Sequence, residues 1–88
     1  TLDILDPSSV TVYPNPVSDQ LQIDLTATDI RGDIKLFVFD VNGKLVMSQS
    51  ANTNGYVQMG VSSLQNGYYT LHISNDKYII GKKFVVVK

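Results

Sequence analysis

Apolar and polar residues alternate along much of this chain with a period of two, the period of a strand that buries one face. The cleanest stretch is Gln20-Leu21-Gln22-Ile23-Asp24-Leu25, which puts Leu21, Ile23 and Leu25 on one side. Gly67 to Ser74 repeats the pattern with Tyr69, Leu71 and Ile73. Ile34 to Val41 is apolar on nearly both sides, as a central strand is. Val10 to Tyr13, Lys44 to Gln49, Gly55 to Val61 and Lys77 to Lys88 bring the set to about seven strands. Turn chemistry separates them. Asn42-Gly43 predicts a type I′ hairpin, whose two central residues both need φ > 0. Asn75-Asp76 closes a second hairpin, and Ser62 to Asn66 forms a short turn that tucks Leu64 inward. Thr26 to Asp33 and Ser50 to Asn54 read as polar connections. Gly81 interrupts the last strand and predicts a bulge or a close backbone approach. Thr1 to Ser9 reads as a polar, loosely held lead-in, with Pro7 discouraging regular structure. Short strands with turns every 8–12 residues or so predict an all-β, seven-stranded antiparallel immunoglobulin-like β-sandwich. It occupies residues 10–88, behind a lead-in at 1–9.

Composition strengthens this reading. Val, Ile and Thr make up more than a quarter of the chain, there are two alanines, and all 8 acidic residues are Asp. Good helix formers are therefore scarce. A length of 88 residues fits one domain, which buries about 60–65% of its unfolded surface. A hydrophobic fraction of 43% excludes a disordered tail. A net charge of -1 argues against a dedicated binder of nucleic acid or of an anionic membrane. The absence of cysteine removes disulfides and thiolate metal sites. The longest apolar runs, Leu36 to Phe39 and Phe84 to Val87, fall far short of the roughly 20 residues that span a bilayer, so no transmembrane segment is expected. The chain starts at Thr1 rather than Met and is read as a piece of a longer protein.

Chemistry-bearing residues are few. His72 is the single histidine and alternates with Thr70 and Ser74, which predicts a solvent-facing strand residue rather than a catalytic base. No second histidine is present for a zinc arrangement, and no serine sits in a Gly-x-Ser-x-Gly elbow. Asp40-Val41-Asn42-Gly43 partly matches a calcium loop but lacks further ligands at the required spacing; a hairpin turn accounts for Asn42 and Gly43. Arg31-Gly32-Asp33 spells the tripeptide read by integrins, within a polar inter-strand loop where chance occurrence is an ordinary explanation. No enzyme, cofactor or metal is therefore expected. Lys82, Lys83 and Lys88 flank Phe84-Val85-Val86-Val87 as charged gatekeepers would. An exposed run of three valines is sticky. Either it pairs inside the sheet, or it is offered to one partner through edge-strand recognition.

Several of these pieces fall in one order. Val12-Tyr13-Pro14-Asn15-Pro16 is followed by an alternating strand and then by Val38-Phe39-Asp40-Val41-Asn42-Gly43-Lys44-Leu45-Val46. Leu64-Gln65-Asn66-Gly67-Tyr68-Tyr69 comes next, and Lys82 to Lys88 ends the chain. This order, from about Tyr13 to Lys88, resembles the type A family of C-terminal sorting domains of the type IX secretion system. The resemblance implies a seven-stranded immunoglobulin-like sandwich at the end of a larger exported protein of a Gram-negative bacterium. It implies a signal, not an enzyme, that takes an upstream cargo domain from the periplasm to the outer-membrane surface or the extracellular space. Its implied partners are the outer-membrane translocon, a shuttle protein and the sortase that removes it. Carried over by position, the motif residues are Pro14, Asn15 and Pro16, Asn42 and Gly43, and Gly67 and Tyr69, all expected to be mainly structural. Lys82, Lys83, Phe84, Val85, Val86, Val87 and Lys88 are the expected recognition residues.

The alternative is an adhesive or carbohydrate-binding module on the same sandwich, using Tyr56, Tyr68 and Tyr78; an inert stalk is a third reading. On the sorting reading, Pro14 and Pro16 push Tyr13 and Asn15 toward extended geometry and donate nothing to a ladder. The corner is therefore expected to be architecture, separate from an address at residues 82–88.

Overall fold

The computed structural model describes residues 3, 4 and 6–88. Among them are β1 (Asp3–Ile4), β2 (Thr11–Tyr13), β3 (Gln20–Asp24), β4 (Gly32–Phe39), β5 (Leu45–Thr53), β6 (Tyr56–Gly60), β7 (Gly67–Ser74) and β8 (Tyr78–Val86). A five-stranded sheet in the order β1-β8-β7-β4-β5 faces a three-stranded sheet in the order β2-β3-β6. The seven strands β2 to β8 are antiparallel, as in an immunoglobulin-like sandwich, while β1 adds to β8 in parallel. β1 and a 3-10 turn at Pro7–Ser9 lie in the lead-in expected to be irregular.

The core is built from the period-two pattern. Ile34, Leu36 and Val38 of β4, Leu71 and Ile73 of β7, and Ile80, Phe84 and Val86 of β8 face Leu21, Ile23, Val57 and Met59 of the smaller sheet, and all are buried. Leu64 tucks in from its turn as expected, and Val17 from the connection between β2 and β3 is fully buried. Among the described residues, no buried side-chain nitrogen or oxygen lacks a hydrogen-bond partner.

Four expectations change. First, the hairpin between β4 and β5 is not type I′. Among the described residues no non-glycine residue has positive φ, and Gly43 alone in this loop does, at 80°. The Asp40 carboxylate accepts the Asn42 and Lys44 N–H groups at 2.9 and 3.0 Å, and the Gly43 N–H donates to the Asp40 carbonyl. That side chain organises an unprimed turn followed by Gly43 in the left-handed region, the three-residue hairpin solution. β4 therefore ends at Phe39, leaving Val41 exposed, and the register shifts opposite Val46. Second, β5 runs through the stretch read as a polar link, as far as Thr53. It is the edge of its sheet, so a run of Ser, Gln and Asn suits it. Third, Gly81 makes no bulge. It pairs in register with His72, under that ring. Fourth, Gly32 and Asp33 belong to β4 rather than to a loop.

Candidate recognition surface

The last strand has two faces and an edge, and each is used differently. Ile80, Lys82, Phe84 and Val86 alternate onto the inner side, and Gly81, Lys83 and Val85 onto the outer one. Phe84 and Val86 are core residues, and the Phe84 ring stacks on Tyr69 with centroids 5.6 Å apart. Tyr69 in turn donates its hydroxyl to the Gln65 carbonyl at 2.6 Å, so the half-buried ring packs on Phe84 while the polar end is satisfied. Gly67 opens β7 opposite Val86. Lys82 is half-buried at the rim, close enough to Asp6 for its charge to act on that carboxyl. The Ser8 backbone N–H, then the Ser8 side chain, and last the Lys82 charge hold Asp6 below its ordinary value. Lys83 is the lysine that faces out, opposite Thr70.

The valine run is paired rather than offered as a bare edge. On one side Val85 and Val86 lie opposite Tyr68 and Gly67 of β7. On the other side the Pro14-Asn15-Pro16 corner reaches across from the smaller sheet. Asn15 Oδ1 accepts the Val85 N–H at 3.0 Å, although the two residues are 70 positions apart. Val17 forms a parallel bridge to Val86, donating to the Val85 carbonyl and accepting from the Val87 N–H, each at 2.9 Å. Both X–Pro bonds of the corner are cis. Lys88 is held by its N–H to Asn66 Oδ1 at 3.0 Å and by its ammonium to the Ser62 carbonyl. Of the expected recognition residues, Lys83, Val87 and Lys88 are exposed, Lys82 and Val85 are half-buried, and Phe84 and Val86 are interior.

The corner and the terminal strand, expected to divide architecture from address, are thus in direct contact. Sequence reasoning placed Asn15 in a rigid corner but missed its partner. An Asn between two prolines signals a side chain free to cap a neighbouring N–H; nothing local says which one.

Other candidates disperse. His72 is half-buried on the outer face, 4.9 Å from the Phe39 ring centroid and stacked above Gly81, rather than fully solvent-facing. The Arg31 guanidinium is turned back onto the Thr28 and Ile30 carbonyls, and Asp33 accepts from Asn52, so the tripeptide is not displayed on a free loop. Tyr56 and Tyr68 are exposed on opposite sheets of the sandwich, and Tyr78 donates to Asp29, so the three do not form one aromatic platform. The Asp40 carboxylate serves its own turn. No group of three or more metal-ligating side chains occurs among the described residues. Nor is any described helix long and apolar enough to cross a membrane.

A family model described as the secretion system C-terminal sorting domain matches residues 11–87. The match takes in both the proline corner and the strand it holds. No curated protein matches the chain.

Proposed function

The chain belongs to the family of C-terminal sorting domains of type IX secretion, and from that premise we propose that it is the folded tag by which a larger cargo is recognised and exported. The cargo lies upstream. The tag engages the outer-membrane translocon and its shuttle protein, and a surface sortase then removes it. The cargo ends at the outer-membrane surface or in the extracellular space of a Gram-negative cell. The domain acts by being bound and performs no chemistry of its own, with no cofactor or metal. The side chains offered to the machinery are Lys83, Val87 and Lys88, exposed around a strand whose alternate residues anchor in the core.

The observation that carries this reading is the family match across residues 11–87, which covers the corner and the terminal strand as one unit. A periplasm-directed reporter fused ahead of Thr1 tests it. In cells with an intact type IX system the reporter is expected at the surface, and in cells lacking the translocon it is expected to remain periplasmic. Equal surface display in both strains contradicts the reading.

A further inference from the structure

An uncharged Val85-Val86-Val87 run on a sheet edge presents backbone donors and acceptors to any passing strand. Here three of those groups point away from β7 and are taken by the corner. The Val85 N–H goes to Asn15 Oδ1, the Val85 carbonyl to the Val17 N–H, and the Val87 N–H to the Val17 carbonyl. Pro14 and Pro16 bring no N–H of their own to the corner. Asn15 is exposed, so its side chain contributes this bond without filling core space. A second asparagine, Asn66, takes the Lys88 N–H. The Asn15 and Asn66 side chains and the Val17 backbone, all far away in sequence, therefore hold Val85, Val87 and Lys88 in one conformation.

We infer that Asn15 is a positioning residue of the export signal: with the Val17 backbone it clamps residues 85–87 on the side of β8 away from β7, and this docked form is what the export machinery reads. The inference rests on the sorting-signal reading above. A machine that reads Lys83, Val87 and Lys88 together needs them at fixed spacing, and a frayed terminus gives them none. The alternative, recognition of a released terminal peptide, predicts the opposite dependence, because loosening the clamp then helps export.

Asn15→Ala removes the acceptor and Asn15→Asp keeps one. Amide exchange in the 88-residue chain and surface display of the reporter fusion are measured for both. Asn15→Ala is expected to speed exchange at Val85 roughly fivefold, the effect of one lost hydrogen bond on a local opening. Exchange at Leu71 and Ile73 stays unchanged and the surface fraction falls. Asn15→Asp restores both. Unchanged exchange at Val85 overturns the clamp. Faster exchange with export maintained or increased overturns the claim that the docked form is read. The two readings fail separately: a wild-type fusion that stays periplasmic overturns the sorting signal itself, whereas full export of both wild type and Asn15→Ala overturns this inference alone.

Discussion

Single residues set the turns of this domain, and two glycines show how differently. Gly43 has φ 80° and open space around it, so Gly43→Ala is strained only by its backbone and should cost about 1–2 kcal/mol. Gly55 has φ 127°, and a Cβ there would sit 3.0 Å from Thr26 Cγ2. Gly55→Ala should therefore cost more, about 2–3 kcal/mol; denaturant melts of the two variants check the order. Asp24 is held below its ordinary value, first by the Thr26 hydroxyl and then by the Thr26 N–H. A depressed folded value gives stability that is complete above the ordinary carboxylate range and is lost as pH falls through the lower folded value. The melting temperature should hold down to about pH 4 and drop below it, and the drop should be smaller in Thr26→Val. The Asn42-Gly43 pair was legible as a hairpin but not as its type. The deciding group is the carboxylate of Asp40, two residues earlier, which a rule about the central pair does not weigh.

At the scale of elements, the two long outer strands of the large sheet are treated in opposite ways. β8 has its edge covered, by β1 at one end and the proline corner at the other. β5 pairs only with β4 among the described residues and carries no charge along its nine residues. Such an edge is prone to pair with another chain. Ser48→Lys should reduce aggregation on heating, followed by light scattering, while leaving the melting temperature within a degree or so. The terminal strand proposed as the address is also core: Phe84→Ala should cost about 3–5 kcal/mol of the roughly 4–13 kcal/mol available to a chain this long. Removing Phe84 to Lys88 should therefore destabilise the domain as well as delete its end, and Lys83→Ser or Lys88→Ser is the cleaner probe of recognition. Strand existence was legible because alternation reports burial directly. The extent of β5 was not, because an edge strand with polar side chains has the composition of a loop.

For the molecule as a whole, the fold class and the order of motifs were legible from the sequence, since turn spacing and period-two runs constrain a sandwich strongly. The joining of residues 15–17 to residues 85–87 was not. It depends on bringing the connection of one sheet onto the edge of the other, a long-range event that no local pattern encodes. That joining makes the signal a property of the folded domain rather than of its last few residues. The most direct test is the surface fraction of one reporter carrying either residues 1–88 or residues 82–88 alone, in the same type IX-competent strain. The full domain should bring the reporter to the surface and the seven-residue tag should leave it in the periplasm. Equal display by the short tag would contradict the account.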